Sequence, residues 1–116
     1  MYKIVVGMGF GDESKGSVVD YFCQTDPPKY VIRYCGGFQC GHKTQLPDGT
    51  SHVFSQFGSG TLAGIPTYYG PRCIFELFSW IAEKNHLCGK GITSPEFYLD
   101  KDCLVTTVYH RILNQV

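Results

Sequence analysis

A chain of 116 residues holds one small domain and no multi-domain enzyme, and its 43% hydrophobic content is enough to fill a core. Ten basic and ten acidic residues cancel, so the surface has no cationic stripe for a nucleic-acid backbone or an acidic membrane, and no apolar run reaches bilayer length. Fourteen glycines and six prolines point to many turns and close backbone approaches. In chain order, Lys3 to Gly7 is a continuous apolar run and reads as a strand covered on both faces of a parallel sheet. A glycine-rich loop follows, and Ser14 to Cys23 carries Val18, Val19 and Phe22 at helical spacing. Asp26-Pro27-Pro28 ends that helix, and Tyr30 to Tyr34 resumes as a second strand, which completes a βαβ unit.

Residues 35–42 form a second glycine-rich loop at what would be the carboxyl edge of the sheet, where ligands bind in α/β folds. Pro47-Asp48-Gly49 has hairpin turn chemistry, with His52-Val53-Phe54 as one arm, and Ser55 to Gly70 reads as irregular. Pro71 is placed to open a helix with Ile74, Leu77, Phe78 and Ile81 on one face and a stop at Gly89. Glu96 to Asp100 reads as a short strand. Asp102 reads as the cap of a last helix with Val105, Tyr109, Ile112 and Val116 on one face. That stripe runs to the final residue without a cap, so the expectation is an incomplete α/β domain over residues 1–116. It would have a mainly parallel sheet, flanking helices, a P-loop-like first βα turn and exposed apolar surface. The six cysteines contain no Cys-x-x-Cys pair and follow no signal peptide, which predicts free thiols in a reducing cytoplasm.

Residues 9–16 carry the chemistry. Gly9, Gly11 and Gly16 allow backbone N–H groups to point into one hollow, the helix start adds partial positive charge, and Lys15 adds a full one. The spacing fits neither Walker A nor the dinucleotide fingerprint fully, in both cases because of Ser14. Asp12-Glu13 within such a hollow calls for a reason, either a magnesium ion or a proton to remove.

Gly11-Asp12-Glu13-Ser14-Lys15-Gly16, preceded by Ile4-Val5-Val6-Gly7, resembles the Gly-Asp-Glu-Gly-Lys-Gly element of adenylosuccinate synthetases. The segment Arg33-Tyr34-Cys35-Gly36-Gly37-Phe38-Gln39-Cys40-Gly41-His42 resembles their Arg-Tyr-x-Gly-Gly-x-Asn-Ala-Gly-His signature at the family's spacing. The resemblance covers the chain but only the N-terminal part of the family's enzyme. It implies a ligase that joins aspartate to IMP with GTP and Mg2+ and is a homodimer when complete. Asp12 would be the catalytic base and touch the metal, and His42 would assist at the phosphoryl and O6 oxygens. Gly11, Glu13, Ser14, Lys15 and Gly16 would meet phosphate, Gln39 the nucleotide, and the Gly41 carbonyl magnesium.

Several departures from the pattern qualify this reading. Ser14 replaces a glycine, Gln39-Cys40 replaces Asn-Ala, and Lys43 replaces a threonine. The stretch Phe54 to Gly60 is more similar to a divergent bacteriophage branch, part of which makes 2-aminoadenylosuccinate from dGMP. Asp12 leans toward the ordinary reaction. A non-catalytic purine-nucleotide-binding module is the remaining alternative.

Overall fold

The computed structural model describes residues 1–11, 13–37 and 40–115. After α1 (Lys15–Thr25) come β1 (Val31–Gly36), the hairpin of β2 (His42–Gln45) and β3 (Ser51–Phe54), and a short 3-10 turn at Thr61–Ala63. β4 (Thr67–Glu76), α2 (Leu77–Gly89), β5 (Phe97–Leu99), β6 (Leu104–Thr106) and α3 (Val108–Leu113) follow. β4 is the spine of a parallel sheet. β1 runs along one edge of it, β5 along its first half and β6 along its second. The expected α/β class with a mainly parallel sheet and flanking helices is therefore observed.

Three expected elements differ. Lys3 to Gly7 forms no strand, and Ile4 is 87% exposed. A doubly covered strand needs ladder partners, whereas this segment is tethered to α1 and its loop. Lys3 Nζ lies 2.6 Å from Asp26 Oδ2, and the Gly9 N–H donates to Glu13 Oε1 at 2.5 Å. The loop thus enters α1 without a strand before it. Pro71 opens no helix, because it lies inside β4. Arg33 pairs with Tyr69 but Cys35 with Arg72, so Gly70-Pro71 forms a bulge that absorbs the missing proline N–H. The helix begins six residues later, where the Glu76 carboxylate caps the N–H groups of Phe78 and Ser79. Phe78 consequently falls on the exposed side. Asp102 caps nothing helical, since Leu104–Thr106 pairs with Ile74–Glu76 and α3 starts only after Thr107. Val116 lies outside the described residues.

The core has two lobes joined by Trp80 and Phe97. One contains Phe54, Phe57 and Leu87, and the other Tyr69, Cys73 and Phe75. Trp80 stacks on Phe57 with ring centroids 6.0 Å apart, and Phe97 meets Phe57 edge-on at 5.2 Å. Together they pin the hairpin and the 55–60 segment onto α2 and the sheet. Leu77, Phe78, Val105, Val108 and Tyr109 line an open apolar groove. No helix among the described residues is long and apolar enough to cross a membrane.

Candidate functional site

Two loops meet because a helix and a strand touch through a glycine. Gly16, in the first turn of α1, is buried against β2. A Cβ built there would lie 2.8 Å from the Lys43 carbonyl oxygen and 3.1 Å from His42 Cβ. Ser17 Oγ donates to the same carbonyl at 3.4 Å. That contact brings the glycine loop before α1 beside the start of β2. Gly11, Ser14, Lys15, Gly16, Ser17, Gly41, His42, Lys43 and Gln45 line one cleft of about 300 Å³, at the small end of the range for ligand pockets. The sequence-expected residues Gly11, Ser14, Lys15, Gly16, Gly41 and His42 are thus together. Asp12 and Gln39 lie outside the described residues.

The loop's conformation explains its composition. Gly11 has φ +98° and Ser14 φ 58°, ψ 32°, both in the left-handed region. Ser14 occupies the N-cap position, but its hydroxyl makes no capping bond. Its backbone carbonyl accepts the first helical hydrogen bond, from Val18 N–H at 3.1 Å. A residue type that the geometry disfavours therefore stands where a glycine would relax.

Glu13 has a role that the sequence left open between metal and proton chemistry. Its carboxylate bridges the loop, accepting from Lys15 Nζ at 2.8 Å and from the Gly9 N–H. The Lys15 bond, followed by backbone N–H donors, holds its pKa down at about 2, so it is ionised throughout the neutral range. Glu13 is a brace that positions the lysine, and it is not among the cleft-lining residues.

His42 is half-buried at the head of β2, and its basicity is lowered by burial first and then by the cations of Arg33 and Lys15. A neutral imidazole offers one donor and one acceptor to a ligand in the cleft. His52, His86 and His110 stay outside the site. His52 is buried against Glu83, His86 is exposed, and His110 completes a capping box with Thr107.

Two supporting residues escaped the sequence reading. Arg33 in β1 is only 6% exposed, and its Nη1 donates to the carbonyls of Ser55 and Phe57. Glu83, buried on α2, holds the opposite side of that turn. It accepts from Ser55 Oγ at 2.8 Å, from Gln56 N–H at 2.7 Å and from Ser55 N–H at 3.2 Å, with His52 Nε2 at 3.4 Å. Burial alone would raise its pKa, but these donors outweigh it and the net shift is downward. The available signals were a charge within the apolar run Tyr30 to Tyr34 and an acid in a mostly apolar helix, neither of which names a partner.

A sequence model of the family described as adenylosuccinate synthetase matches residues 4–116. An adenylosuccinate synthetase of Vibrio cholerae serotype O1 (strain M66-2) is 32% identical over 114 residues, covering 97% of this chain and 26% of that protein. Among solved structures, succinoaminodeoxyadenylate synthetase of cyanophage S-2L, bound to dGMP and to dATP as an energy donor, superposes with a TM-score of 0.73. It shows 19% identity over 91% of this chain and 29% of its own, a likeness of fold.

Proposed function

This chain belongs to the adenylosuccinate synthetase family, and from that premise we propose that it carries the phosphate-binding loop and catalytic pair of a ligase joining aspartate to IMP at the expense of GTP. The supporting observation is the single cleft shared by the Gly11–Gly16 loop and Gly41–His42. Backbone N–H groups at the start of α1 and the Lys15 ammonium receive phosphate oxygens, with Glu13 holding the lysine in place. Neutral His42 donates to oxygen where negative charge develops on the transferred phosphoryl group and purine O6. Asp12 takes the N1 proton, Gly11, Ser14 and Gly16 contact phosphate through the backbone, and Gln39 meets the nucleotide. Aspartate then displaces the phosphate.

Magnesium suits this donor set. Glu13 is occupied by Lys15 and Gly9, which leaves Asp12 as the loop's remaining carboxylate. That is the setting in which a hard cation is held by one carboxylate, a carbonyl and substrate phosphates. Asp12 and the Gly41 carbonyl would hold it, and its contribution would be to neutralise phosphate charge.

The chain spans about a quarter of the length of the curated relative it matches, 26%. Residues 1–116 are the N-terminal part of the domain, with the remaining substrate contacts and the homodimer partner belonging to the longer enzyme. Alone, the chain binds phosphate but does not turn over, because catalysis needs both substrates fixed in orientation. The phage neighbour's dGMP favours a second reading, in which the nucleotide is dGMP and the product 2-aminoadenylosuccinate. Calorimetry with GTP, IMP and dGMP tests both. Saturable heat with GTP and IMP that disappears in Lys15→Ala supports the first reading, dGMP in place of IMP supports the second, and no heat from any of them contradicts both.

A further inference from the structure

The parallel sheet has one closed face and one open one. Arg33, Tyr69, Cys73 and Phe75 are buried on the side where Trp80 of α2 packs. Their neighbours on the other side form rows in register, Ile32 beside Tyr68 beside Tyr98, and Ile74 beside Leu104. Among the described residues that second face is left open, with Tyr30 38%, Ile32 63%, Tyr34 64%, Tyr98 45% and Leu104 63% exposed. Parallel sheets are ordinarily covered on both faces, and a contiguous apolar patch of this extent marks an interaction surface. These five side chains expose roughly 600 Å², most of the about 800 Å² per partner that a standard interface buries. The phenols of Tyr68 and Tyr98 already donate to Asp100 and Glu96, so covering the rings strands no hydroxyl.

The charges around the patch select its occupant. Val31, Thr67 and Phe97 stand at one level across β1, β4 and β5, and just before them Lys29 on the β1 flank faces across to Glu96 on the β5 flank. Further along, the Arg72 guanidinium lies over Tyr34 on the β1 flank, 5.9 Å from the ring centroid. The turn carrying Asp100, Lys101 and Asp102, with one net negative charge, lies on the other flank. Cations thus stand on one side of β4 and carboxylates at matching levels on the other. We propose that this open face is a self-association surface, on which a second copy of the chain packs sheet against sheet about a two-fold axis parallel to β4. That operation lays β1 of each copy over β5 of the other with strands aligned, as in face-to-face sheet packing. It sets Ile32 of one copy against Tyr98 of the second, Lys29 against Glu96, and Arg72 against the acidic turn. The inference is independent of the nucleotide-binding reading and concerns a different surface.

The test is sedimentation equilibrium of the 116-residue chain over a concentration series. The unaltered protein should pass from monomer to dimer. Ile32→Lys, which buries a lone charge in the contact, should weaken the dimer by more than about tenfold. Lys29→Glu and Glu96→Lys should each weaken it by about tenfold, because the two-fold axis makes each reversal count twice, and the two combined should restore it. Phe78→Lys, in the apolar groove at the start of α2, should leave dimerisation unchanged. A chain that stays monomeric at its highest soluble concentration would overturn the inference. So would a dimer indifferent to Ile32→Lys, one lost in Phe78→Lys, or charge reversals that fail to rescue each other. Should Ile32→Lys fail to fold by circular dichroism, isotope-filtered NOEs in a mixture of labelled and unlabelled unaltered protein decide. Contacts between Ile32 methyls of one copy and the Tyr98 ring of the other are expected, and their absence in the dimer would overturn the inference.

Discussion

Substituting Gly16 by alanine tests how the cleft is assembled. The added Cβ would sit 2.8 Å from the Lys43 carbonyl oxygen, 3.2 Å from the His42 carbonyl carbon and 3.1 Å from His42 Cβ. Two of these neighbours are backbone atoms of a hydrogen-bonded hairpin, in which His42 pairs with Phe54 and Lys43 with Val53, so no flexible side chain can yield. The helix must move off the strand. Overpacking of this kind costs about 1–3 kcal/mol, against which alanine regains up to about 1 kcal/mol of helix propensity. With the full regain the net loss is about 0–2 kcal/mol, a fall in Tm of up to roughly 12 °C for a domain of this size. Gly89, at the far end of α2, is the control, since a Cβ there meets nothing within 4 Å and Gly89→Ala should be neutral or slightly stabilising. Urea and thermal unfolding followed by circular dichroism give the stabilities, and tripolyphosphate affinity gives the state of the cleft. A Gly16→Ala protein as stable as its parent, with affinity intact, would refute the claim that this contact holds the two loops together.

Ser14→Gly should stabilise by about 1 kcal/mol, because the left-handed backbone strain of Ser14 exceeds the added flexibility of the unfolded glycine and no capping bond is lost; chemical denaturation measures it, and a loss of stability would contradict the conformation. Glu76→Ala should cost about 1 kcal/mol by removing the cap on Phe78 and Ser79, measured the same way, with Glu76→Gln retaining part of it. Glu83 titrates below its ordinary value in the folded protein, so its contribution to stability is complete above the unfolded value of 4.5 and lost as pH falls through the folded value. Unfolding free energies measured from pH 7 down to pH 3 should show that loss. Glu83→Gln should be less stable at pH 7 and less sensitive to acid over this window, whereas identical pH dependence in both proteins would contradict the role given to Glu83.

What the sequence disclosed and what it concealed divide along the range of the interactions. The loop from Gly9 to Gly16, the helix after it and the Pro47–Gly49 hairpin turn are local chemistry, set by glycine conformations, helical spacing and turn residues, and they appear where expected. β4 was concealed because Pro71 usually marks a boundary. It is tolerated inside the strand because β4 bulges at Gly70-Pro71 opposite Tyr34 of β1, a fact of pairing between distant segments. Val105 was read into a helical stripe for the same reason, since its partner Phe75 in the parallel ladder is remote in sequence. Lys3 to Gly7 shows the converse, an apolar run that no ladder takes up. At the site, the two motifs showed which loops matter. The burial of Arg33, the turn that Glu83 grips and the brace between Glu13 and Lys15 depend on how the chain folds over those loops.

The proposed function requires that the loop before α1 and the loop before β2 form one phosphate-binding cleft. The most direct measurement is an amide NMR titration of the unaltered chain with GTP. Saturable shifts with a single dissociation constant are expected at Gly11, Ser14, Lys15 and Gly16 and, together with them, at Gly41 and His42. Shifts confined to one of these loops, or two groups of residues saturating at different concentrations, would contradict it.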